Sequence, residues 1–330
     1  MARDFNVYGL GNALVDMQYE VTPEFLERLG IAKGLMTLVD EDRQRALLEA
    51  LADAPSKRAS GGSAANTMVG VTQLGGKAAY ACKVAQDEFG EFFVADLRAA
   101  GVACDPPRSA EGVTGKCLVL ITPDADRTMN TFLGITSTFG PGEVDEKTIA
   151  ASDYIYIEGY LLTSESGLEA ARTAQRRAQD HGTHVALTLS DPSIVEAFGG
   201  RMREIVDRGV ELLFCNEAEA RAYTGTSTTA EALGALADAV PRAAVTCGPE
   251  GAVVRDGGAT VKIPGFPVEA VDTNGAGDMF AGAFLYGITN GHDVSEAGRL
   301  AAYASSRIVA QYGPRLPAAL ADQVERILAG

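Results

Sequence analysis

Val271-Asp272-Thr273-Asn274-Gly275-Ala276-Gly277-Asp278-Met279-Phe280 is the stretch on which the reading of this chain turns. An apolar run, 280–288, follows it with small Ala281, Gly282 and Ala283, so the string opens a tightly packed helix. Gly275, Ala276 and Gly277 carry almost no side-chain bulk, which lets the backbone approach a ligand closely and adopt positive φ. The unpaired N–H groups and positive dipole end of the helix then form an anion hole suited to a phosphoryl group. Asp278 is the odd residue, because a carboxylate repels a phosphate. Either it caps the helix, or it accepts a proton from a hydroxyl that attacks the phosphoryl group. No Gly-Lys-Ser/Thr follows, so the string is not a Walker A loop, and it is not G-x-G-x-x-G.

The rest of the chain narrows the context. Its 330 residues are 46% apolar and 22% charged, enough for a large core and against wholesale disorder. A net charge of −16 excludes a broad nucleic-acid surface but not a local nest of N–H donors for a small anion. No run of 18 apolar residues exists, which predicts no membrane span. Met1-Ala2-Arg3-Asp4-Phe5 enters a strand-like segment without the apolar core of a signal peptide. Cys82, Cys104, Cys117, Cys215 and Cys247 are scattered and odd in number, as expected for reduced thiols in a cytoplasmic protein. His181, His184 and His292 form no ligand spacing.

Short apolar runs at 7–10, 79–84, 154–158, 184–189, 212–215 and 243–246 alternate with helical patterns such as 91–100, 168–180 and 230–240. This rhythm predicts an α/β/α sandwich around a mostly parallel sheet. Two regions break it. Residues 13–40 hold strand-like pieces at 15–21 and 35–39 around a short helix. Residues 113–135 read as a hairpin, 115–122 and 127–133, turning at Pro123-Asp124-Ala125-Asp126. They predict a small β-sheet lid on a single domain, 1–330; two unrelated surface hairpins are the alternative.

Four stretches in order resemble the ribokinase-like (PfkB) family of carbohydrate and nucleoside kinases. They are 9–16 (Gly-Leu-Gly-Asn-Ala-Leu-Val-Asp); Gly61-Gly62-Ser63-Ala64-Ala65-Asn66-Thr67 with Gly75-Gly76 and Asp87-Glu88-Phe89-Gly90; Asn216-Glu217-Ala218-Glu219; and the 272–278 string. The resemblance spans essentially the whole chain and implies the ribokinase-like fold. It also implies transfer of the ATP γ-phosphate to a hydroxyl, with magnesium and, in some relatives, a monovalent cation such as K+ near Asp272. Asn12, Leu14, Asp16, the 61–67 string and Arg127 lie closest to the branch that phosphorylates adenosine. A sugar kinase for fructose, ribose or 2-keto-3-deoxygluconate is the alternative, and a non-catalytic ligand-binding protein the second.

Residue by residue, the resemblance makes Asp278 the base and Gly275, Ala276, Gly277 and Arg127 the groups that stabilise transferring charge. Asp16 takes two sugar hydroxyls, which suits a carboxylate that accepts two donors. Gly61 and Gly62 let the backbone pass the sugar, beside Asn66. Ser63 either touches substrate or caps the helix that follows it. Asn12 either touches the sugar or forms a turn. Arg127 either reaches the phosphates or pairs with Asp124 or Asp126. Tyr160 either stacks on a purine or packs at a strand end. Asn216 and Glu219 face magnesium and the nucleotide phosphates, Glu219 through water, or simply cap a helix. Thr246, Gly248 and Gly251 line the nucleotide. The small residues of 301–305 form either a wall for adenine or a helix contact. The partners expected are a nucleoside or sugar and ATP, on a monomer or homodimer.

Overall fold

The computed structural model describes residues 3–124 and 126–329; Met1 and Ala2 of the N-terminal segment and Ala125 of the 123–126 turn lie outside the described residues. Five parallel strands, Phe5–Leu10, Ser152–Glu158, His184–Thr188, Leu212–Asn216 and Arg242–Thr246, form the centre of an eight-stranded sheet. Ala78–Ala81 extends it in parallel beside Phe5–Leu10. At the other edge Gly251–Asp256 and Ala259–Pro264 run antiparallel, a hairpin the apolar pattern does not announce because most of the last strand is solvent-facing. The predicted 79–84 strand ends early: the chain leaves the sheet after Ala81 and Val84–Ala85 pairs instead with Arg108–Ser109.

Successive strand residues alternate between two cores. Val7, Tyr156, Phe214 and Ala244 enter one, with the helices Ser63–Gln73, Ala276–Thr289 and Val294–Val309. Tyr8, Ile155, Ile157 and Val245 enter the other, under Glu165–His181, Pro192–Asp207, Glu217–Thr224 and Thr229–Ala239. Helices on both faces of a mostly parallel sheet make this a three-layer α/β/α fold. Among the described residues no helix is long and apolar enough to cross a membrane.

A separate five-stranded sheet has the order Met36–Leu38, Arg127–Gly134, Thr114–Ile121, Leu14–Glu20, Ser56–Gly61. The two regions that break the βαβ rhythm contribute four of these strands. The fifth, Ser56–Gly61, is too polar to show a strand pattern and pairs antiparallel with Leu14–Glu20. One face of this sheet is buried through Val15, Met17, Tyr19, Leu118 and Leu120. The other carries Asp16.

Candidate active site

Because the central strands run parallel, Leu10, Glu158, Thr188, Asn216 and Thr246 all end on one side, where ligands bind open α/β sheets. The helix Ala276–Thr289 starts there. Its cap, Gly275, has φ +78°, and a Cβ on it would lie 2.4 Å from Pro314 Cβ. At Gly277 a Cβ would meet nothing within 4 Å, so the turn is open to solvent there, while the Ala276 N–H donates to the Thr273 carbonyl (3.2 Å). Gly275→Ala is therefore expected to destabilise the fold by about 2–4 kcal/mol through backbone strain and overpacking. Gly277→Ala should leave urea-unfolding midpoints unchanged and raise the KM for ATP.

Asp278 does not cap its helix, whose cap residue makes no side-chain hydrogen bond. Its carboxylate instead accepts from Ser63 Oγ (2.6 Å) and Asn66 Nδ2 (3.2 Å) on the neighbouring helix. The N-termini of two helices thus converge on it. Burial lifts Asp278 to about 6, held back by these hydrogen bonds and by Arg315. Ser63 is likewise not a cap. Glu158, a residue sequence reasoning gave no role, caps that helix by accepting from the Ala64 N–H (2.9 Å). Glu158 also accepts from Asn12 Nδ2 (2.8 Å), so Asn12 sits in the interior with its amide donor committed.

Asp16 lies over Gly61, where a Cβ would stand 2.2 Å from Oδ1. Burial lifts it to about 7 against the pull of Arg315 and Arg127, with Asp278 adding to the rise. Arg127 pairs with neither Asp124 nor Asp126; Lys33 takes both. Arg127 Nη2 stands 2.7 Å from Asp272 Oδ2 but off hydrogen-bond angle, so the buried guanidinium nitrogens have no hydrogen-bond partner. Asp272 also accepts from the Asn274 and Gly313 N–H groups.

A pocket of about 650 Å³ opens beside the Gly277 turn. Thr246, Gly248 and Gly251 line one wall, Phe266 and Val268 a second, and Ala302 and Ser305 a third. Of the small residues of 301–305, Ala302 and Ser305 thus face a cavity, while Ala301 and Ala304 pack in the core. Asn216 and Glu219 form a reciprocal capping box, Glu219 N–H to Asn216 Oδ1 (2.9 Å) and Asn216 N–H to Glu219 Oε2 (3.0 Å). Glu219 is buried rather than solvated. Burial and the charges of Asp191 and Asp278 lift it to about 7, the like-charge setting that a divalent cation relieves. Among the described residues no three His, Cys, Asp or Glu side chains are grouped so as to hold a metal ion. Tyr160 is half-buried in the turn Gly159–Thr163, its phenol pushed up by burial and by Asp191, Glu158, Asp278 and Glu219.

Sequence reasoning missed Arg315, which donates to Asn66 Oδ1 and Asp96 Oδ2, both at 3.0 Å. No local motif marks it.

A glycine turn at a helix N-terminus, a buried carboxylate directly behind it and a small sheet beside them, all at the strand ends of a parallel sheet, are the arrangement expected of a kinase that phosphorylates alcohols with ATP. The family model "pfkB family carbohydrate kinase" matches residues 36–320, and the chain belongs to that family. Adenosine kinase of Saccharomyces cerevisiae is 30% identical over 329 residues, 93% of this chain and 96% of the yeast protein. The crystal structure of adenosine kinase from Sinorhizobium meliloti superposes with a TM-score of 0.90 at 38% identity, covering 98% of this chain and 99% of that one. A probable sugar kinase from Rhizobium etli superposes at 0.91 with 36% identity, covering 99% of each. The chain is a nucleoside or sugar kinase, and its family uses ATP and magnesium.

Proposed function

We propose that this enzyme transfers the γ-phosphoryl group of ATP to the 5′-hydroxyl of a purine nucleoside, adenosine first among them. One observation carries the choice of acceptor. Cross-strand register puts Asp16, Cys117, Thr131 and Leu38 in one row on the Asp16 face of the small sheet. The neighbouring row on the same face holds Gln18, Val119, Met129 and Met36. Leu38 is 59% exposed and Met36 41%. The row of the Asp16 carboxylate thus runs through buried Cys117 and Thr131 to an exposed apolar edge at Leu38 and Met36, which suits a base joined to a ribose and offers a free sugar nothing.

In this reading Asp16 and Asn66 hold the ribose, with Gly61 and Gly62 leaving it room. Its 5′-oxygen attacks the γ-phosphorus, the bond to the β-phosphate oxygen breaks, and the proton passes to Asp278. Gly275, Ala276, Gly277 and Arg127 stabilise the transferring charge; Arg127 Nε and Nη1, which have no partner, support that role. Thr246, Gly248 and Gly251 line the nucleoside end of ATP. Asn216 and Glu219, with Asp191 near, would hold magnesium through water, and the ion would neutralise phosphate charge. The small sheet closes as a lid that excludes water.

A thermal-shift panel of adenosine, inosine, ribose, fructose and 2-keto-3-deoxygluconate tests the acceptor. Adenosine should give the largest shift; an equal or larger shift with a free sugar overturns the assignment. Leu38→Asp should raise the adenosine KM about tenfold, the worth of one apolar contact, with the KM for ATP unchanged.

A further inference from the structure

Arg315 lies in the loop after Val294–Val309 with its side chain 16% exposed, and its fork ties three elements together. Nε donates to Asn66 Oδ1 (3.0 Å), Nη1 to Asp96 Oδ2 (3.0 Å) and Nη2 to the Ser60 carbonyl. Asp96 Oδ2 also accepts from the Ser60 N–H (2.9 Å). Ser60 is therefore held on both sides, directly before the Gly61-Gly62 pair over which Asp16 lies. An asparagine amide can sit either way round. With Oδ1 claimed by the guanidinium, Nδ2 faces Asp278 Oδ2; reversed, its oxygen would repel that carboxylate.

We infer that Arg315 is a positioning residue for phosphoryl transfer, which locks the Asn66 amide and the Ser60–Gly61 backbone so that acceptor and Asp278 meet in register. The inference rests on Asp278 as base. The groups around that carboxylate come from every side. Ser63 and Asn66 lie on one helix, Asp16 on the small sheet, Tyr156 and Glu158 on a central strand, Tyr160 on the turn after it, and Glu219 on a further helix. Arg315 is the cation that bears on both Asp16 and Asp278; Arg127 bears on Asp16. Without Arg315 the two carboxylates face each other with less compensation, and both resist ionisation.

The test compares wild type, Arg315→Met, Arg315→Lys and Asp278→Asn as full-length proteins, with adenosine and magnesium-ATP. Two quantities are read: the acidic limb of the kcat–pH profile and the acceptor KM. Arg315→Met should move the limb up by roughly one pH unit, the effect of losing a neighbouring charge. Its acceptor KM should rise about tenfold, the worth of a charged hydrogen bond, and its ATP KM should not change. Arg315→Lys should return the limb to its wild-type place but not the KM, since an ammonium cannot make the fork. A purely structural residue would leave the limb in place. A wild-type limb and KM in Arg315→Met, beside an inactive Asp278→Asn, overturns the inference. Wild-type turnover in Asp278→Asn overturns the base assignment instead, and the KM of Arg315→Met then decides whether Arg315 positions the acceptor. Should Arg315→Met not fold, Arg315→Lys decides alone: a raised acceptor KM supports the inference and a wild-type KM ends it.

Discussion

Asp278→Asn is expected to lower kcat by about 10²–10⁴-fold, the range for loss of a general base, with acceptor and ATP KM nearly unchanged. Asparagine keeps the shape and can still accept from Ser63, so binding geometry survives while the proton acceptor does not. The pH dependence follows from the lifted carboxyl. A base must be deprotonated to act, so wild-type kcat should fall as pH drops through about 6, well above the ordinary aspartate range. Stability should move the opposite way. A carboxyl whose folded value is raised favours the fold fully below its unfolded value near 3.8, and that contribution is lost as pH rises through about 6. At pH 8 the wild type holds an unfavourably buried charge, and Asp278→Asn should melt at or above the wild-type temperature. Wild-type turnover in this variant, or a variant that melts far lower, would remove Asp278 from the mechanism.

Asp16→Ala should act on the other substrate. Two hydrogen bonds to a carboxylate are lost with the side chain, worth about 1.5–3 kcal/mol each. The acceptor kcat/KM should therefore fall by about 10²–10⁴-fold, carried by KM, while KM for ATP stays. Gly61→Ala offers an independent check. Its Cβ would overlap the Asp16 carboxylate and drive it from its place, so it should copy the Asp16→Ala phenotype with both carboxylates still present. Like Asp278, Asp16 is lifted by burial, to about 7, so its removal should not lower the melting temperature at pH 8. An unchanged acceptor KM in Asp16→Ala would end its role in holding the sugar.

The parallel strands and the glycine turn were legible because their residues are contiguous: apolar runs between helical stretches, and a Gly-Ala-Gly-Asp string ahead of an apolar helix. The strand Ser56–Gly61 was not, since Ser56, Lys57 and Arg58 are exposed and alternate nothing apolar. Ser63 read equally well as a cap, because serine before an alanine-rich run is common there. The cap came from Glu158, whose carboxylate reaches Ala64 from 94 residues away in the chain.

The sequence by itself determined the family and with it the reaction class, the glycine turn ahead of an apolar helix, and the parallel strands that carry that turn to one side of a sheet. Only the tertiary structure decided who their partners are. Asp278 meets Ser63 across 215 positions and Arg315 meets Asn66 across 249, and Arg127 leaves its neighbouring acids for Asp272. Short stretches encode backbone preference and burial, which are local. Hydrogen bonds and ion pairs between distant residues exist only after packing has brought their elements together, and no spacing along the chain records them.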